Sequence, residues 1–152
     1  MLLHRLKHST FCELKPSLLA PGGVGVFAIR DIPKNTNLFV DALPTFWDEL
    51  TAEQVAGCPH EVQELLSRFV VLSEDGVRYV PFYGMNNLSI LYYINHSESP
   101  NVRIDEEAGD EYEDGRATPS GYVTIRRVRK GEELCYDYRT VDGAIELFAS
   151  SE

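Results

Sequence analysis

Tyr92-Tyr93-Ile94-Asn95-His96-Ser97-Glu98-Ser99-Pro100-Asn101 and, further along, Gly131-Glu132-Glu133-Leu134-Cys135-Tyr136-Asp137-Tyr138 are the two stretches that decide the fold of this chain. In the first, an aromatic and apolar run gives way to Asn-His and then to a Pro-Asn turn. In the second, a Lys130-Gly131 turn opens onto a short run that ends in two tyrosines. Taken singly, each is a turn beside a strand, where Asn, Pro and Gly satisfy local backbone needs. A third piece, Gly22-Gly23-Val24-Gly25, stands just before the β-prone residues 24–30. Glycines in such a turn let backbone N–H groups approach a ligand with no Cβ in the way. A dinucleotide-binding G-x-G-x-x-G would put a third glycine at the start of a helix. Here Val26-Phe27-Ala28 runs into a strand, which counts against that fold.

Outward from these stretches the pattern is one of short strands. A polar turn, Asp31-Ile32-Pro33-Lys34-Asn35-Thr36, leads to a second strand over residues 37–41, with Asn35 suited to a left-handed turn. A helical insert over about residues 45–70 follows: Thr51 and Gln54 form a capping-box pattern, and Val62, Leu65, Leu66 and Phe69 recur at helical spacing. Strands are then expected over residues 69–72, 77–82 and 101–105, and the alternation of residues 122–128 predicts a half-buried strand. Residues 144–149 could add a closing helical turn. The one biased segment is 105–114, with seven carboxylates in ten positions. Such runs are usually solvated loops; the sharper alternative is an electrostatic lure for a basic partner.

A chain of 152 residues is the size of one domain and can bury a core. Hydrophobic residues make up 43% and charged residues 25%, as in globular proteins. No apolar run approaches the ~20 residues that span a bilayer. The N-terminal Met1-Leu2-Leu3-His4-Arg5-Leu6-Lys7-His8 is broken by charge too often for a signal peptide, so an intracellular location, cytoplasmic or nuclear, is expected rather than secretion. Cys12, Cys58 and Cys135 are odd in number and form no C-x-x-C, which opposes a disulfide framework or a cysteine-rich zinc site. His4 and His8, and Cys58-Pro59-His60, lack the further ligands a structural zinc wants. A net charge of −10 opposes nucleic acid as a partner and suits a basic one.

In this order, the glycine turn, the Asn-His stretch and the final tyrosine run resemble the SET domain, the fold of protein-lysine methyltransferases, over roughly residues 17–140. The resemblance implies a mainly β fold with minor helix: a single domain over 1–152 with several short curved sheets, the helical insert, a knot-like threading of the C-terminus, and a closing segment at 141–152. It implies S-adenosyl-L-methionine as cofactor and S-adenosyl-L-homocysteine as product, with no metal. Gly23, Val24 and Gly25 would pack against the cofactor, while the Asn95 side chain and His96 backbone hold its methionine end. Tyr138 would be the catalytic tyrosine, also beside the cofactor. Tyr136, where the family alternates Phe and Tyr, implies mono- to di-methylation.

Tyr93 and Tyr136 are the expected neighbours of the substrate lysine; Tyr92 is core or channel, and Tyr79 and Tyr83 are looser candidates. Many family members carry a zinc-binding Cys where this chain has Glu98, so the resemblance is to a zinc-free form, with residues 141–148 the natural cover for the channel. The implied partner is a basic lysine-containing protein or peptide such as a histone tail, with no membrane and no nucleic acid bound directly. The alternative is a non-catalytic SET-fold module that binds peptides.

Overall fold

The structure, a computed structural model, describes residues 2–140 apart from Asp41, Val71, Glu74 and Ser120. The expected closing segment at 141–152 therefore lies outside the described residues. Helix α1 (Leu2–His8) precedes strands β1 (Cys12–Pro16) and β2 (Val24–Ala28). Strand β3 (Trp47–Thr51), helices α2 (Ala52–Ala56) and α3 (His60–Phe69) and strand β4 (Val77–Pro81) form the insert. Strands β5 (Asn95–His96), β6 (Val102–Asp105), β7 (Gly121–Thr124) and β8 (Glu133–Tyr136) complete a mainly β architecture of three small sheets.

The central sheet has the order β1-β2-β8-β5. β1 and β2 pair antiparallel along their whole length, as do β2 and β8 where they meet. β5 runs parallel to β8, with Asn95 opposite Cys135 and His96 opposite Tyr136. These pairings bring the two decisive stretches side by side; they do not by themselves show a knot-like threading. β1 lies upstream of the expected core boundary at residue 17. Its exposed faces alternate weakly, so it carries little apolar signal. Arg30 finishes α1 by donating from Nη1 and Nη2 to the carbonyls of Lys7 and His8, 2.7 and 2.9 Å, while its guanidinium stacks 4.6 Å over Phe11. A cation at the carbonyl end of a helix is well placed electrostatically.

The main core is Val26, Ala28, Ile32, Leu38, Ile94, Val102, Val128 and Leu134. Leu134, fully buried in the middle of the sheet, contributes about 1.5–3 kcal/mol by burial alone. The insert has its own small core of Leu66, Val70 and Val80, joined to the first where Phe69 meets Tyr93 edge to face at 5.3 Å. The capping box of α2 is formed: Gln54 N donates to Thr51 Oγ1, and Thr51 N donates to Gln54 Oε1. Asn35 adopts the left-handed conformation, φ 62°.

Three expected strands are shorter than the sequence pattern suggests. Among the described residues of 37–41 only Asn37 forms a bridge, with Val123, and the chain turns at residues 38–40 to bury Leu38. Over 69–72 the helix persists to Phe69, because the Leu66 face continues into the insert core, and only Leu72 bridges to Arg78. The strand expected at 122–128 ends at Thr124. There the buried hydroxyl donates to Pro33 O, 2.7 Å, and the chain bends to bridge Val128 to Ile32. The insert is also not purely helical, since β3 and β4 close it as a hairpin.

Asn101, 2% exposed, braces β8 from the side. Its Nδ2 donates to Glu133 O at 2.8 Å, and its Oδ1 accepts from Cys135 N at 2.9 Å. Replacing it by Ala strands two buried backbone groups, so Asn101→Ala is expected to cost about 2–4 kcal/mol. Urea unfolding measures this directly; a loss below about 1 kcal/mol would show that the bracing is unimportant.

Candidate active site

β8 carries the site on both of its edges. The Glu133 carboxylate collects donors from two distant parts of the chain, residues 17–19 and Asn95 of β5. Ser17 Oγ donates to Oε1 at 2.7 Å, Leu18 N to Oε2 at 2.7 Å, Leu19 N to Oε2 at 3.3 Å, and Asn95 Nδ2 to Oε1 at 3.1 Å. Burial pushes the Glu133 pKa up, but the bonds from Ser17, Asn95, Leu18 and Leu19 outweigh it, and the carboxyl sits below its ordinary range. Gly25 is fully covered by this group, and an added Cβ would land on Oε1. The glycine is required there by close approach rather than by a positive φ.

Asn95 closes the arrangement, donating from the same Nδ2 to Val24 O at 2.9 Å and to Ser17 Oγ at 3.1 Å. Gly23 N donates to Ala20 O, and Ser17 N donates to Gly23 O, so residues 17–23 form a closed turn with Gly22 at φ 78°. The structure thus brings Gly23, Val24, Gly25 and Asn95 together around one carboxylate. The turn 17–25 contains no Lys or Arg. It presents carbonyls, amides and a hydroxyl beside a buried negative charge. That donor set fits a cationic, zwitterionic ligand such as S-adenosylmethionine and does not make a phosphate cradle.

Beyond the end of β8, His96 Nδ1 accepts the backbone N–H of Tyr138 at 3.1 Å, which fixes the tautomer with its proton on Nε2. The His96 ring lies 5.3 Å from the Tyr138 ring, which is 4.7 Å from Tyr136. The Tyr138 hydroxyl donates to Ile94 O at 2.8 Å. Burial raises its pKa to about 12, so it is a neutral phenol at physiological pH and no general base. Burial pushes the Tyr136 and Tyr122 hydroxyls well above the phenol range too.

Tyr136 meets Tyr122 edge to face at 5.8 Å, and Tyr122 meets Phe39 at 5.7 Å. Phe39 in turn lines a groove of about 420 Å³ with Leu38, Tyr83, Ile90 and Leu91. Tyr93 faces Phe69 of the insert, Tyr92 is largely buried, and Tyr79 is exposed on β4. The aromatic contact of Tyr136 away from Tyr138 is therefore Tyr122. The sequence pattern gave Tyr122 only a place in a strand.

Glu98 pairs with Arg139 Nη1 at 2.9 Å, and Arg139 also grips Asp137, whose pKa falls to about 2 chiefly through that hydrogen bond. This ties the loop after β5 to the turn after β8. The Glu98–Arg139 pair is exposed and screened by solvent, so it orients these segments more than it stabilises them. Among the described residues no group of three or more His, Cys, Asp or Glu could hold a metal ion, and no helix is long and apolar enough to cross a membrane.

In the sequence Glu133 was legible only as a member of the Gly131–Tyr138 run, with no role of its own. Because its folded pKa is depressed, its contribution to stability is present above about pH 4.3, the unfolded value, and is lost as pH falls through the folded value. The thermal-melt gap between wild type and Glu133→Gln is therefore expected to be widest at neutral pH and to close below about pH 4. Gly25→Ala, which must displace the same carboxylate, should be strongly non-additive with Glu133→Gln. A pH-independent gap together with simple additivity would remove Glu133 from the centre of the site.

No curated protein matches the sequence. Among solved structures, the chain is similar to a Plasmodium falciparum protein described as a candidate histone methyltransferase: 18% identity, TM-score 0.56, with 87% of this chain and 96% of that one covered. It is also similar to a chain of apo ctPRC2 carrying substitutions in Ezh2: 16% identity, TM-score 0.56, with 88% of this chain and 16% of that one covered. Identities this low speak for the fold. The model of the SET-domain family matches residues 23–139. That span takes in the glycine turn, the Asn95-His96 pair and Tyr138, and it covers most of the sequence. The chain belongs to the SET-domain family.

Proposed function

We propose that this SET domain transfers a methyl group from S-adenosylmethionine to the ε-amine of a lysine in a basic protein or peptide, such as a histone tail, giving mainly mono- to di-methylated product. One observation carries the reading. Tyr138, its hydroxyl fixed on Ile94 O and its backbone N–H on His96 Nδ1, stands two residues past the end of β8, the strand that also carries Glu133 of the Asn95–Glu133–Gly25 cluster. S-adenosylmethionine, when bound, supplies a methyl group on a positive sulfonium that an amine displaces, leaving S-adenosylhomocysteine. Val24 O and the Asn95 amide, with the turn 17–23, would hold it.

The chain's own residues do the rest by placement. Lysine has a pKa near ~10.4 and must be neutral to attack. An amine brought against the uncharged, mutually packed rings of Tyr122, Tyr136 and Tyr138 would be disfavoured as ammonium by desolvation. A phenol that already donates to Ile94 O is an oriented acceptor for an amine N–H, and orientation of this kind accounts for large factors in rate. All three tyrosines remain protonated, so none takes the ammonium's proton, which leaves to solvent water before the neutral amine attacks. The Tyr136 hydroxyl narrows the space around the amine and so limits the number of methyl groups it can carry.

Two measurements test this. Tyr138→Phe should cut transfer of radiolabelled methyl groups into a whole-cell lysate by ~100-fold or more while leaving the heat of S-adenosylmethionine binding intact. Label that survives the substitution would undo the assignment of Tyr138, and absence of binding heat in the wild type would favour a non-catalytic module. Tyr136→Phe should shift the product, by mass spectrometry, towards higher methylation states. An unchanged product distribution would show that the hydroxyl does not set it.

A further inference from the structure

Phe46 and Phe82 stand on the surface as an edge-to-face pair with ring centroids 6.4 Å apart, 45% and 70% exposed. Phe46 enters β3 and Phe82 leaves β4, and Phe82 N donates to Phe46 O at 2.9 Å, so the hairpin register fixes the pair. Leu43, 75% exposed and three residues before Phe46, and Tyr83, next after Phe82, line the groove that Phe39 also lines. The acidic segment packs alongside. Thr45 pairs with Ala117, and Glu111 pairs with the same residue. Gly115, at φ 86°, lies so close that an added Cβ would touch the Phe46 ring at 3.9 Å. Glu111 and Glu113 are exposed on that segment, and Asp48 and Glu49 on β3. An exposed apolar centre with a polar rim is the ordinary form of an interaction site.

We propose that Phe46, Phe82 and Leu43, rimmed by Glu111 and Glu113, form a docking surface for a basic segment carrying an apolar anchor, apart from the tyrosines that receive the lysine. That this segment belongs to the methylated substrate rests on the reading given above; the surface does not. Charge decides among possible occupants. A second copy would set the same carboxylates against one another across a two-fold contact, and nucleic acid would be repelled by them. Residues 141–152 contain Asp142, Glu146 and Glu152 and no Lys or Arg, so the chain's own tail has the wrong sign. A Lys- or Arg-rich segment with one large apolar side chain satisfies both rim and centre.

Fluorescence anisotropy with two labelled model peptides tests this without turnover, because neither contains lysine. One alternates arginine with leucine; the other has alanine in place of each leucine. Wild type should bind the leucine peptide ~10-fold more tightly. Phe82→Ser, at a position exposed enough to leave folding unaffected, should abolish that preference. Glu111→Gln with Glu113→Gln should weaken both peptides and flatten their salt dependence. Equal affinity for the two peptides, or a preference that survives Phe82→Ser, overturns the proposal. So does a wild-type dimer in sedimentation that Phe82→Ser converts to monomer. A wild type that shows no preference for the leucine peptide yet carries out Tyr138-dependent methyl transfer removes only the docking surface, whereas a wild type with the preference and no methyl transfer removes only the enzymatic reading.

Discussion

The Glu133 carboxylate is where separate parts of this chain become one site. It lies on a central strand whose neighbour Leu134 is fully buried, so it cannot reach water by moving the strand. A buried carboxylate persists only when donors replace its lost hydration. Ser17, Leu18, Leu19 and Asn95 are those donors. Meeting that requirement draws the turn at 17–23 onto β8, sets Asn95 against Val24 and leaves room at residue 25 for nothing larger than glycine. One electrostatic requirement thereby gathers the glycine turn and Asn95, while His96 and Tyr138 are fixed separately.

The other edge of β8 works by exclusion of charge. Tyr122, Tyr136 and Tyr138 are neutral because burial holds their protons on. Their partners are a backbone carbonyl, a histidine and one another. Such a wall can shape and desolvate an amine without offering it a counter-ion, as attack by a neutral lysine requires. The polar edge and the aromatic edge are separated only by the width of one strand. β5 pairs with β8 on the edge away from β2, and from there it reaches Glu133 through Asn95 and the backbone of Tyr138 through His96.

The insert and the acidic segment are built on a different principle. Their small core of Leu66, Val70 and Val80 joins the main core through Phe69 and Tyr93. The β3–β4 hairpin meanwhile leaves two phenylalanines in solvent. The bridge from Thr45 to Ala117 makes the acidic run part of that surface. A sequence pattern describes 105–114 as a solvated run; its neighbours give it a use.

Local chemistry in the sequence was enough for the glycine turn, the capping box of α2, the left-handed Asn35 and the succession of motifs that marks the family, because each depends on residues close together in the chain. Strand ends at 37–41, 69–72 and 122–128 were misjudged because partners distant in sequence terminate them: Leu38 turning into the core, Leu66 holding the helix, Thr124 turning to Pro33. The place of Glu133, the side-chain role of His96 and the contact of Tyr122 with Tyr136 arise only when β8 is set between β2 and β5. A sequence states which groups are present, while burial and a partner's position decide their ionisation and orientation, and both are properties of the folded chain.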